Sequence, residues 1–204
     1  MNDKKLISLT FDDGPTVGIT DQILDILEEN GCRASFFLIG DQVTPETEYL
    51  VKRAVSLGCS IENHTKTHRS MLSLSDDEIL SEVQYTTDKI IELTGVAPMF
   101  FRPPYIDVKD RMYDLIDLTF ICGRGCEDWV PEVSSKERED RIYDAACDGA
   151  IILVHDMPDN ERTVEAVRRV IPRLKADGYE FVNVREIFSA KDKPIDHSKM
   201  YSEF

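Results

Sequence analysis

What this chain can fold into is constrained most by an alternation of short β-rich runs with longer helical ones. Apolar, β-branched and aromatic runs predict strands over residues 5–11, 34–39, 59–63, 99–102, 118–122, 150–155 and 180–184. Helical patterning predicts helices over 20–30, 45–57, 76–94, 108–116, 136–147 and 161–177. Ser75 with Glu78, and Ser134 with Glu137, spell capping boxes, in which each side chain satisfies an orphan amide at a helix start. Pro172 falls inside the last long helix, so a kink is expected there.

Repeated βα units require a mostly parallel sheet with helices outside, because each parallel connection needs a crossover. The expected fold is α/β: a distorted (β/α) barrel of about seven mostly parallel strands, with a doubly wound open sheet as the alternative. At 204 residues the chain suits one domain with a substantial core. That domain is expected over 1–189, with a polar, loosely attached tail over 190–204.

Composition narrows the function classes. A net charge of −15 repels phosphate backbones and anionic bilayers, so neither nucleic acid nor membrane is expected as a partner. No apolar run approaches the roughly 18 residues of a membrane span. The opening Met-Asn-Asp-Lys-Lys-Leu has no apolar signal region, so a cytoplasmic location is expected, or export if a leader was removed. Cys32, Cys59, Cys122, Cys126 and Cys147 include no Cys-x-x-Cys pair and read as small, mostly buried thiols.

The residues that carry chemistry gather at strand ends. In LISLTFDDGPT, residues 6–16, an apolar run ends in adjacent Asp12 and Asp13. Paired carboxylates repel, and a cation is the usual compensation. In SIENHTKTH, residues 60–68, His64 and His68 can face one side of a helical turn and converge on Zn²⁺. Asp13 supplies a third ligand, giving a two-histidine, one-carboxylate set with open coordination, which is catalytic in character. FFRPPYID sets Arg102 at a strand end before a rigid two-proline loop. GCEDWVP carries Asp128 and the single tryptophan, Trp129, whose acidic neighbours argue against full burial. GAIILVHDMP ends its strand in His155 and Asp156, whereas His197 lies in the charged tail and is expected to be solvated. In a parallel βα fold such strand ends share one face, where loops assemble sites.

These segments resemble, in order, those of the polysaccharide deacetylases, carbohydrate esterase family 4, a group with a distorted (β/α) barrel. The family's T-F-D-D-G matches residues 10–14, H-[ST]-x-x-H matches 64–68, R-x-P-[YF] matches 102–105, D-W matches 128–129 and L-x-H matches 153–155. The resemblance runs from residue 6 to about 185. It implies a metal-dependent deacetylase that hydrolyses the acetamide of N-acetylated oligo- or polysaccharides. Asp13, His64 and His68 would hold Zn²⁺, with Co²⁺ or Ni²⁺ also suited to such donors, and the cation would polarise the carbonyl and activate water. Asp12 would be the general base, oriented by Arg102. His155 would be the general acid that protonates the leaving amine, oriented by Asp128. The Tyr105 backbone amide would stabilise the oxyanion, and Trp129 and Leu153 would wall the acetyl methyl.

One loop departs from the family pattern. Gly125 stands where an acid often lies three residues before D-W, and residues 122–126 lack the usual tryptophan. Both differences bear on substrate more than on chemistry. Two other readings remain beside the deacetylase. One is an amidohydrolase of a small acylated or cyclic amide on the same fold. The other is a catalytically silent carbohydrate-binding protein, which would be expected to have lost Asp12 or His155.

Overall fold

Strand β1 (Lys5–Asp12) is the hub of the sheet. It pairs in parallel with β2 (Ser35–Leu38) on one side and β7 (Ala150–His155) on the other, and its first residues pair with β8 (Tyr179–Phe181). From β2 the sheet runs through β3 (Ser60–Asn63), β4 (Phe100–Phe101) and β5 (Thr119–Ile121) to β9 (Met200–Tyr201), while β6 (Arg124–Gly125) flanks β7. The structure, a computed structural model, describes residues 4–191 and 194–204. Residues 1–3 of the expected domain and 192–193 of the expected tail lie outside the described residues.

The pairings between these strands are parallel, with one isolated antiparallel bridge between Ala150 and Glu203, and β1 to β5 follow chain order around the sheet, as a curling barrel requires. A doubly wound sheet would reverse its order at a switch point. Beyond the expected strands the sheet gains β6 and β9, two-residue pairings too short to leave a pattern in the sequence.

Residues 200–204 are not loosely attached. The Tyr201 carbonyl accepts from the amides of Cys122 at 2.7 Å and Gly123 at 3.2 Å. The Ile151 amide donates to the Ser202 carbonyl at 3.2 Å, and the Phe204 amide to the Gly149 carbonyl at 3.1 Å. This segment therefore bridges β5 to β7 and closes the curl. Backbone groups make these bonds and Tyr201 alone in the segment is buried, so a polar spelling conceals the role.

The helices are α1 (Ile19–Asn30), α2 (Glu48–Ser56), α3 (Asp76–Thr94), α4 (Arg111–Leu115), α5 (Ser135–Asp144), α6 (Glu161–Ala176) and α7 (Val184–Lys191). Both capping boxes form, with Ser75 and Ser134 accepting from the amides of Glu78 and Glu137 and the glutamates reaching back. Helix α6 continues through Pro172 as one element. No helix among the described residues is long and apolar enough to cross a membrane.

Period-two alternation sorts the strand residues between the two faces of the sheet. Ile7, Leu9 and Phe11 of β1, with Ala150, Ile152 and Val154 of β7, pack outward under the helices. Phe37, Phe100, Ile121 and Ile151 point into the curl, where Ile187 and Phe188 of α7 plug the lower end. The inward rows then emerge at the upper end as Asp12, His64, Arg102 and His155. Alternation alone thus brings four polar side chains from four strand ends to one mouth.

Candidate active site

Asp13 follows β1 in the left-handed conformation, at φ 74°, which turns its carboxylate toward the loop after β3. Its Oδ1 lies 3.4 Å from His64 Nε2 and 3.2 Å from His68 Nε2. That oxygen is buried without a hydrogen-bond partner. Ligand atoms of Asp13, His64 and His68 all lie within 4.8 Å of one another, a set of two nitrogens and one oxygen that fits a first-row divalent cation. Burial works to raise the Asp13 carboxyl, but His64, His68 and His155 outweigh it and hold the group at about 2. Burial, reinforced by His64, pushes the His68 imidazole below its ordinary value, toward the neutral form a ligand needs.

His64 is pre-set for this task. Its Nδ1 lies 2.6 Å from the Arg102 carbonyl, which can only accept, so Nδ1 carries a proton there and Nε2 is the ring atom that faces Asp13. The two histidines do not share a helical turn, as their spacing had suggested. Residues 64–68 form a loop in which Thr65 and His68 take φ of 68° and 59°. Buried Glu82 of α3 accepts the amides of Lys66 at 3.1 Å and Thr67 at 2.8 Å. Thr65 Oγ1 accepts from the His68 amide at 3.1 Å, which curls His68 back over the mouth.

Asp12 sits beside this cluster with a different partner. Arg102 Nη1 donates to its Oδ1 at 2.5 Å, and Nη2 donates to Thr10 Oγ1 at 2.9 Å. The guanidinium is fully buried, 4.2 Å above the Phe37 ring. Asp12 Oδ2 lies 3.8 Å from His64 Nε2 and points to the mouth. One aspartate therefore faces the imidazole pair while its neighbour is held back by an arginine.

On the opposite flank, Asp12 and His155 are register partners across β1 and β7. Fully buried Asp128 takes His155 from two directions, accepting the backbone amide at Oδ2 and facing Nδ1 with Oδ1, each at 2.8 Å. Burial opposes charge on this imidazole, but the hydrogen bond and charge of Asp128, with Asp12 and Asp13 behind it, raise the group to about 9. His155 is thus an imidazolium at neutral pH, with Nδ1 tied and Nε2 available.

These residues line a cavity of about 530 Å³. Tyr105, at φ 59°, lays its ring edge-on to His68 with centroids 4.8 Å apart, and it is 67% exposed. Trp129, half exposed, meets His155 edge-on at 5.6 Å from the other side. Leu153 forms the floor between them, and Gly125 lies 3.5 Å under the Trp129 ring as a Cβ there would measure it. All ten residues singled out in the sequence meet at or directly behind this cavity. Cys122, Gly123 and Gly125 line it too, in the loop whose departures from the family pattern bear on substrate, whereas sequence reasoning gave Ile106 of the lining no role. It also gave no role to Asp156, which is fully buried and pushed to about 7 by that burial. Asp156 Oδ2 accepts from Thr20 Oγ1 at 2.5 Å, and its carboxyl packs flush against Gly14, locking the turn that carries Asp13.

Comparison with known proteins places this geometry. Residues 1–119 match the polysaccharide deacetylase family. A bifunctional xylanase/deacetylase of Pseudobutyrivibrio xylanivorans is 43% identical over 188 residues, 92% of this chain. The chain spans only 31% of that relative's length. The Xyl-CE4 domain of a multidomain xylanase from the hindgut metagenome of Trinervitermes trinervoides superposes with a TM-score of 0.95 at 42% identity, covering 98% of both chains. A family 4 acetyl xylan esterase from Clostridium thermocellum, solved with a cobalt ion, gives 0.94 at 36% identity, again over 98% of both. With its segments in order and its strands in the same curl, the chain belongs to the polysaccharide deacetylases of carbohydrate esterase family 4.

Proposed function

We propose that the chain is a Zn²⁺-dependent deacetylase that releases acetate from acetylated polysaccharide. One observation carries this reading: an Asp–His–His donor set flanked by an arginine-held Asp12 on one side and an Asp128-held His155 on the other. A divalent cation held by Asp13, His64 and His68 would polarise the acetyl carbonyl and make water easier to deprotonate. Asp12 takes that proton at Oδ2, the oxygen left free by Arg102. His155 delivers a proton from Nε2 to the departing sugar atom, and Asp128 stabilises the charged imidazole beforehand. The Tyr105 amide stabilises negative charge on the carbonyl oxygen, and Leu153 and Trp129 bound the methyl group.

The same proton delivery serves an amine or an alcohol leaving group, so acetamides and acetate esters are both within this chemistry. The relatives named for xylan make O-acetylated xylan the first substrate to test, ahead of N-acetylated chitooligosaccharides. Acetate release by zinc-loaded protein is expected on at least one of the two. The Asp12→Asn variant should keep its zinc and lose most turnover, whereas His64→Ala should lose both. Full activity in Asp12→Asn would remove the base assignment, and no acetate from either substrate would remove the deacetylase reading.

A further inference from the structure

Helix α5 reads as a charged, solvated run, SKEREDRIYD, yet its Arg138 is only 3% exposed. Burying a guanidinium is costly unless its donors are met. Here they are met without a carboxylate. Nε donates to the Val133 carbonyl at 3.0 Å and Nη2 to the Val130 carbonyl at 3.1 Å. Nη1 donates to Asn160 Oδ1 at 2.5 Å and to Thr163 Oγ1 at 2.9 Å.

Those last two partners lead to the active site. Thr163 Oγ1 donates to Asp128 Oδ2 at 2.9 Å, and Asn160 Nδ2 donates to the same oxygen at 3.3 Å and to the His155 carbonyl at 2.9 Å. Arginine offers donors and no acceptor. A hydroxyl that accepts from Arg138 has its single proton left to give, and it gives it to Asp128. An amide whose oxygen accepts from Arg138 must turn its NH₂ toward Asp128 and His155. Arg138 thereby fixes the polarity of both bridges. Asp128 Oδ2 meets three donors, counting the His155 amide, and Oδ1 is left for His155 Nδ1.

We propose that Arg138 is a positioning residue for the general acid, acting on His155 through Asn160 and Thr163 and then Asp128. This rests on the roles given to His155 and Asp128 in the deacetylase reading. With Arg138 removed, the Asn160 oxygen and the Thr163 hydroxyl lose the donor that anchors them, Thr163 can redirect its proton, and Asp128 is held less firmly with its second oxygen aimed at the imidazole. The imidazole then samples orientations from which Nε2 no longer points into the cavity, while the Asp13–His64–His68 cluster on the opposite flank is untouched.

The test combines kinetics with a readout that needs no turnover. In zinc-loaded protein, Arg138→Met should lower kcat for acetate release from O-acetylated xylan by on the order of 10-fold, with KM and bound zinc unchanged. In an Asp128→Ala background the same substitution should change kcat no further, because the path runs through Asp128. By ¹⁵N-edited NMR, the His155 Nδ1 proton should shift or broaden in Arg138→Met and in Thr163→Val. Arg138→Lys should restore part of both signals and covers the case in which the methionine variant does not fold. A kcat loss that persists undiminished in the Asp128→Ala background overturns the proposal, as does an unmoved Nδ1 resonance. If the wild type releases no acetate from this xylan, the NMR arm alone decides the positioning role, and the substrate reading fails separately.

Discussion

Replacing Asp128 with Asn tests how His155 is charged. Burial alone would push this imidazole below its ordinary 6.5, and Asp128 leads the groups that carry it up to about 9. That rise is worth about 3 kcal/mol, at about 1.4 kcal/mol per pH unit, in favour of the imidazolium. All four contacts to Asp128 come from donors: the His155 amide and Nδ1, Thr163 Oγ1 and Asn160 Nδ2. An asparagine NH₂ group would face donors wherever it turned, so Asp128→Asn loses both the charge and the fit. His155 should then titrate at or below 6.5. In the metal-free protein at pH 8 the acid form then falls from about nine-tenths to about 3%. A bound cation lowers His155 in both proteins, so the displacement of the alkaline limb between them is the quantity to read. Zinc-loaded protein should be assayed for acetate release from pH 5 to 10. An alkaline limb in the same place in both proteins would refute the assignment of His155 as the acid that Asp128 holds charged.

Two further perturbations probe the scaffold around the acids. Arg102→Met leaves Asp12 buried without its charge partner and should cost roughly 3–5 kcal/mol of unfolding free energy by urea titration. A change within ~1 kcal/mol would show that Asp12 is compensated elsewhere. Gly14→Ala places a Cβ 2.2 Å from Asp156 Oδ2, in a spot where neither residue has room to move. It should destabilise the fold by about 1–3 kcal/mol and weaken zinc binding by shifting Asp13, as melting and metal titration would report. Zinc affinity equal to that of the wild type would detach Asp156 from the metal site.

Strand ends were legible because a period-two pattern fixes which face each residue takes. Once 5–11 and 150–155 read as parallel strands, Asp12 and His155 had to emerge on one face, and β1 and β7 pair them in register. The two histidines were legible as a pair but not as a loop. Their spacing suits a helical turn, and what prevents one is Glu82, eighteen residues after His64, gathering the amides of Lys66 and Thr67. No local pattern announces such a contact. Arg138 was hidden for the opposite reason. Its neighbours on α5 are mostly charged, and only the packing of α5 on α6 turns it inward to Asn160 and Thr163. Residues 200–204 close the barrel through backbone bonds, which side-chain chemistry does not record.

Crystals grown with Zn²⁺ and measured on both sides of the zinc absorption edge would address the metal centre itself. A single anomalous peak is expected within bonding reach of Asp13, His64 and His68, with the Asp12 carboxylate still on Arg102 and off the ion. No peak between those three side chains, or an Asp12 oxygen bound to the metal in place of Arg102, would contradict it.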